Sequence, residues 1–427
     1  MIRPLDRAEA FFWFLDRCSS MNFAVMAQGS GPLEAARLEE ALANAQAIHP
    51  ALSVAIEADA AGRLAFVPRP GARAEFAREV PGEDWRAALA ARLAQPFELG
   101  EAPLIRAHWF ERPAGQWAFA VVFHHAIGDG RSGFRLVADL IDEARGAKGQ
   151  PAPFKPRPSF MELFPPALAG EAGAARAQEW KASLRREPLR SETMPEFPRQ
   201  PGPIRPGIVA VHVGADVMSG LARKAREHGA SVHGVIGAAE LIAARDRFAE
   251  GSTPALMLTS PVDLRGNLSA PVDDATPGFY VTLLSSLRTV AGPQDLWPLA
   301  AFLTTDLRRQ VAEGCGHLFY HLVPPAETMP ATAEAIAGFS AYMQRMPTAF
   351  ALSNVGRVGA LPEAGGVRVE EVSFALCPMA HQPLFVAAST WGGRLTLNVV
   401  HDANRLAPDA ARAISSAMEA ILRTAAG

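Results

Sequence analysis

Apolar and polar positions along this chain follow two alternating periods, and the points where one gives way to the other predict its elements. Leu38, Ala41, Leu42 and Ala45 recur at helical spacing, and Trp85–Leu93 reads as a second helix that Pro96 stops. Trp117 to Phe123 is apolar at every position, as a strand buried on both faces would be. Shortly beyond it, Phe134, Val137, Leu140 and Ile141 form a single helical stripe. The stretch between them, VVFHHAIGDG from Val121 to Gly130, therefore sits at a strand–loop–helix junction.

The second half repeats this alternation. Ile208–Val213 predicts a strand, Val217–His228 a helix, and Ser231 a cap for a longer helix running to about Phe248. Strands are expected at Ala255–Thr259 and Gly278–Leu287, and helices near Leu296–Val311 and Ala331–Met343. Four more strands, Phe350–Ser353, Val367–Phe374, Leu384–Thr390 and Leu395–His401, precede a final helix, Pro408–Thr424, with proline in its first turn. No short period repeats, which excludes a solenoid. Both halves mix strands and helices, so the expected class is α+β.

Proline divides the chain. Gly149–Pro158 and Pro188–Gly207 are dense in it, and a ring that fixes φ and removes a donor excludes regular elements. Between them, Ala174–Arg186 reads as a short helical piece. The expected organisation is an N-terminal lobe over residues 1–175, a proline-rich connection over 176–207 and a C-terminal lobe over 208–427. A length of 427 residues, beyond what one hydrophobic core usually spans, agrees with two lobes.

Composition narrows the function classes. The formal net charge is -3, with no block of like charge, so nothing calls for nucleic acid or for a strongly basic membrane-binding face. Cys18, Cys315 and Cys377 are widely spaced and lack a C-x-x-C pair, which predicts a reducing compartment and no thiolate metal site. Ala10–Leu15 is too short and too closely flanked by charge for a signal peptide, and no run is long enough for a membrane span. A cytoplasmic, monomeric protein without integral membrane association is expected, its Phe11–Phe14 cluster anchoring the first helix in the core.

Chemistry starts at His124 and His125. Adjacent side chains on a strand point to opposite faces, so one imidazole is able to enter a pocket while its neighbour packs inward. Two satisfied structural histidines are the competing reading. Asp129 and Gly130 favour the functional one, because they specify a turn where a buried strand ends. By itself Asp129 reads as a helix cap, a turn residue or the partner of a buried cation, while Gly130 and Gly128 are permissive points around it.

HHAIGDG resembles the HHxxxDG signature of the condensation-domain and CoA-dependent acyltransferase superfamily. Three further segments resemble members of that superfamily in the right order: QPFELGEAPLIRA from Gln95, SPVDLRGNL from Ser260 and LSNVG from Leu352. The resemblance implies two chloramphenicol acetyltransferase-like lobes in a V-shaped pseudo-dimer around a central tunnel. It implies His125 as the catalytic base, His124 as its structural neighbour, Asp129 paired with Arg265, and Gly130 leaving room beside the site. Asn354 is the expected second catalytic group, orienting substrate or donating to the oxyanion, against a competing role in a local turn near Gly356. Gly128, Tyr280, Thr282 and Ser353 are candidate tunnel residues, and Arg131 is the candidate for binding the donor.

The implied function is a stand-alone acyltransferase. It would move an acyl group from acyl-CoA or a phosphopantetheinyl thioester on an acyl or peptidyl carrier protein to a hydroxyl or amine, with no permanently bound cofactor and no metal. SNVGRVG stands where peptide-forming condensation domains usually carry DFGWG, which favours the stand-alone reading. Peptide-assembly condensation, epimerization and a catalytically silent carrier-binding scaffold are the alternatives.

Overall fold

The computed structural model describes residues 3–79, 84–147, 158–186, 188–198, 203–273 and 276–427. Parts of both proline-dense stretches, 149–157 and 199–202, lie outside the described residues, and the piece between them forms the helix Gly170–Leu184.

In chain order the strands are β1 Arg3–Pro4, β2 Phe23–Ser30, β3 Val54–Ala58, β4 Leu64–Pro68, β5 Glu75–Glu79, β6 Ile105–Glu111 and β7 Gln116–Phe123. The second half contributes β8 Pro206–Val213, β9 Ala255–Asp263, β10 Val281–Thr289, β11 Phe350–Arg357, β12 Arg368–Leu376, β13 Leu384–Trp391 and β14 Arg394–Asp402. They form a five-stranded sheet ordered β12-β2-β7-β6-β5, a six-stranded sheet ordered β10-β9-β11-β13-β14-β8, and a small sheet β1-β4-β3. Both large sheets are mixed: β5 runs parallel to β6, and β11 parallel to β9 and β13. This is an α+β fold.

Continuous apolar runs become central strands because both faces are covered. In β7, Trp117, Phe119, Val121 and Phe123 face one core with Leu38, Leu42, Phe134 and Val137, whereas Ala118, Ala120 and Val122 face another with Trp13, Phe14, Leu89 and Leu93. The six-stranded sheet packs Leu258, Leu352, Val386 and Leu397 against Ile236, Leu303, Ile414 and Met418 of three helices, Val232–Arg245, Leu296–Ala312 and Pro408–Ala426. Among the described residues no helix is long and apolar enough to cross a membrane.

Two departures from the expected pattern matter for the site. Strand β12, from the second half, pairs antiparallel with β2 and completes the N-terminal sheet. Strand β10 starts at Val281, three residues later than the pattern predicts, because Gly278–Tyr280 bonds to the loop after β7. Gly278 has φ +155, and a Cβ there would lie 2.8 Å from the Tyr280 ring, so this approach requires glycine.

Candidate functional site

Strand β7 delivers the two histidines and then stops. His124 is still extended, His125–Ile127 makes one 3-10 turn, and Asp129 caps the helix Gly130–Ala144 by accepting from the Ser132 N–H at 3.0 Å.

The two imidazoles part as strand geometry demands. His124 is 1% exposed, and its Nδ1 accepts from the Ala126 N–H at 3.1 Å. That bond puts the ring proton on Nε2, which lies 3.8 Å from Asp16 Oδ2. His125 turns the other way, into a cage of Phe12, Phe23 and Phe279 with ring centroids 4.6, 4.9 and 5.8 Å away. Burial in this cage pushes its pKa down to about 4. His125 is therefore a neutral imidazole at neutral pH. Its Nδ1 has no hydrogen-bond partner among the described residues.

Asp129 does not orient that ring; its carboxylate is taken up elsewhere. Oδ1 accepts from the Ser132 N–H, the Ser132 hydroxyl at 2.9 Å and Arg265 Nη2 at 3.0 Å. Oδ2 accepts from Arg265 Nη1 at 2.8 Å and from the Tyr280 N–H at 3.1 Å. The Asp129–Arg265 contact is thus bidentate and buried. Burial alone would lower the Arg265 pKa, but Asp129 and Asp263 together outweigh it and hold the guanidinium above its ordinary value. Arg265 Nη1 also donates to Asp263 Oδ1 at 3.1 Å, Nη2 donates to Ser132 Oγ at 3.0 Å, and the guanidinium lies 4.4 Å from the centre of the Tyr280 ring.

His125, Asp129, Gly130, Arg131, Arg265, Ser353 and Asn354 all line one cavity of about 180 Å³ between the two large sheets. Gly128, Tyr280 and Thr282 are not in its lining. Val281 and Leu283 are, since alternation along β10 turns Thr282 away to donate to the Gly316 carbonyl at 2.7 Å. Arg131 is 3.2 Å from Asp263 Oδ2. Asn354 Oδ1 accepts from the Gly356 N–H at 2.9 Å, in a register shift of β11 where Gly356 has φ +75. The local turn is therefore present. It also fixes which way the amide faces, because the oxygen is used and the NH2 is the end left to donate.

At Gly130 an added Cβ would meet only Val355 Cγ1, at 3.5 Å, and at Gly128 only Ser132 and Gly278, at 3.6 Å or more. Neither has positive φ. The close approach belongs to Gly133, where a Cβ would fall 2.7 Å from Val25 and 2.9 Å from Phe23. Gly133, Ser132, Asp263 and Gly278 complete the site beyond the residues that the sequence marks. Ser132 had a signal, standing three residues after a capping Asp; Asp263, two residues before Arg265 in one tight segment, had another.

The family model "Condensation domain" matches residues 11–282, and "Phthiocerol/phthiodiolone dimycocerosyl transferase C-terminus" matches residues 209–400. The chain is 25% identical over 308 residues, 68% of its own length, to a probable non-canonical nonribosomal peptide synthetase, CymA, of Salinispora arenicola. It is 30% identical over 156 residues, 34% of its length, to malpibaldin synthetase of Mortierella alpina. It spans 4% and 3% of those two proteins. Among solved structures, polyketide synthase associated protein 5 from Mycobacterium tuberculosis superposes with TM-score 0.66 at 18% identity, covering 98% of each chain. The TRI3 trichothecene 15-O-acetyltransferase from Fusarium sporotrichioides superposes with TM-score 0.73 at 12% identity, covering 99% of this chain and 95% of that one. The first condensation domain of the calcium-dependent antibiotic synthetase gives TM-score 0.73 at 15% identity, covering 100% and 96%. At these identities the superpositions establish the fold.

Proposed function

The chain belongs to the condensation-domain family, and from that premise we propose that it joins a thioester-bound acyl group to an amine or hydroxyl acceptor, with His125 as the general base. The observation that carries this reading is a neutral imidazole on the wall of a cavity between the two sheets. As the acceptor attacks the carbonyl, His125 takes its proton. The tetrahedral oxyanion receives a hydrogen bond from the Asn354 NH2 group; collapse then breaks the C–S bond, and the proton passes from His125 to the leaving thiolate. His124, fixed by the Ala126 N–H, and Asp129, held by Arg265, keep the loop in place without touching the reacting atoms. Arg131, whose side chain is 43% exposed, is the candidate for meeting a donor phosphate, at the expense of its contact with Asp263.

The proposed setting is two chloramphenicol acetyltransferase-like lobes, residues 1–175 and 208–427 joined through 176–207, in a V around a tunnel to His125. The cavity between the sheets supports this arrangement, and β12 ties the lobes together. A donor on the phosphopantetheinyl arm of a carrier protein suits the peptide synthetase matches. Those matches favour peptide-assembly chemistry over the stand-alone acyltransferase expected from the sequence. The match over 209–400 favours the stand-alone reading.

The test is transfer from acyl-CoA and acyl-carrier thioesters to mixed amines and alcohols, with products read by mass spectrometry. His125→Ala should stay folded and lose nearly all turnover. Transfer by that variant at the wild-type rate would remove the base assignment, and the identity of the acceptor distinguishes the two settings.

A further inference from the structure

The cavity beside His125 has aromatic and aliphatic walls. Phe12 comes from the first helix, Phe23 from β2, and Phe374, Leu376, Met379 and Phe385 from β12, β13 and the loop between them. Its charged groups are already committed to each other. Asp129 accepts five hydrogen bonds; Asp263 accepts from the Arg265 backbone at 3.0 Å and from its Nη1, and lies against Arg131. Both guanidiniums on the wall face these same two carboxylates. The neutral polar groups are largely engaged as well. Thr259 Oγ1 shares a hydrogen bond with Ser285 Oγ at 2.9 Å, and Gln382 Oε1 accepts from the Met379 N–H at 2.9 Å, leaving its buried Nε2 as a donor without a partner among the described residues.

We infer that the acyl group admitted beside His125 is an uncharged alkyl or aryl chain whose length is set by Met379, and not an aminoacyl or dicarboxylic group. This rests on the acyl-transfer reading above, concerns the donor only and holds for either acceptor. An ammonium or carboxylate entering this cavity would lose its water and, among the described residues, meet only charges already paired with each other. Affinity is left to apolar contact, which grows with each methylene until the wall is reached. Met379 lines the cavity from a pinned loop, and we assign the stop to its side chain. Its N–H is bonded to Gln382, and its carbonyl accepts from Arg405 Nη1 at 3.3 Å, so shortening its side chain opens space without freeing the backbone.

The test uses the full chain and inert S-alkyl thioethers of pantetheine, which carry no carbonyl to transfer, with binding measured by calorimetry at pH 7. Affinity should rise about fourfold per methylene before it levels off. Members ending in ammonium or carboxylate should bind at least about 30-fold more weakly than neutral ones of the same length. Met379→Ala should move the plateau to longer chains, and Met379→Phe to shorter ones. Charged members binding within threefold of their neutral counterparts, affinity that does not change with length, or a plateau unmoved in both variants would overturn the inference. The underlying reading fails separately: neutral chains would bind with the expected length dependence, yet no acyl thioester would be consumed with any acceptor.

Discussion

Replacing Arg265 by Met tests the lock that holds the histidine loop. The guanidinium makes two hydrogen bonds to Asp129, one to the Asp263 side chain and one to Ser132 Oγ, in a place where its side chain is 3% exposed. Removing one partner of a buried ion pair costs roughly 3–5 kcal/mol, because the other charge stays behind desolvated. Asp129 would keep the Ser132 N–H, the Ser132 hydroxyl and the Tyr280 N–H, which places the loss near the low end, about 3 kcal/mol. Asp129→Asn should cost less, about 2 kcal/mol, since Asn retains the helix cap and Arg265 retains Asp263. In the double variant no unpaired charge remains at Asp129, so the loss should stay near that of Arg265→Met and fall about 2 kcal/mol short of additivity. Guanidinium chloride midpoints at a shared m-value measure all four proteins. Losses that add to within about 0.5 kcal/mol would mean that the two charges do not hold each other, and the account of this loop would fail.

Four further outcomes follow from the site. Because burial depresses the His125 pKa to about 4, kcat/KM should stay level as pH falls through 6.5 and drop only near 4; an acid limb at 6.5 or above would contradict a buried neutral base. The sign for stability follows from the same depression: the unfolded imidazole protonates first, so this contribution is complete above pH 6.5 and is lost as pH falls toward 4, and His125→Asn should flatten the slope of stability against pH in that window. Asn354→Asp keeps an acceptor for the Gly356 N–H but replaces the NH2 group, so turnover should fall about 10²–10³-fold with the melting temperature nearly unchanged, whereas retained turnover would leave Asn354 a turn residue only. Gly133→Ala forces a methyl against Val25 and Phe23 and should cost about 1–3 kcal/mol; an unchanged thermal midpoint would show that the helix is free to shift outward.

The elements that the sequence revealed are those whose burial is uniform or strictly periodic. Strand β7 and the helix after it are legible because Trp117–Phe123 is apolar throughout and Phe134, Val137, Leu140 and Ile141 keep one stripe. Helix Cys315–Leu322 was not legible: in CGHLFYHL the histidines interrupt the stripe, and their ring nitrogens go to the carbonyls of Asn267 and Leu168, far away in the chain. The docking of β12 on β2 was hidden for a similar reason, since apolar alternation states that a strand has a buried face and never which sheet it joins. At the site, adjacency is what a single sequence displays well. The opposed directions of His124 and His125 follow from strand geometry. The exclusion of Tyr280 and Thr282 from the cavity lining depends on where β10 begins, and that is fixed by the bonds from Gly278 and Tyr280 to Ser132 and Asp129.

Those bonds also explain why the histidine loop belongs to neither half of the chain alone. Its carboxylate, Asp129, is the first turn's cap in one helix and the anchor for an arginine 136 residues later. Gly278 and Tyr280 reach the same corner from the segment before β10, and β12 supplies Phe374 and Leu376 to the cavity after crossing to the N-terminal sheet. His125 is thus carried by the first half, while much of its surroundings is built by the second. A fragment ending near residue 175 would retain His125 but lose Arg265, the β10 approach and β12, leaving Asp129 unpaired and an edge of β2 uncovered. The cavity wall and the His125 loop are therefore both built from the two halves of the chain together.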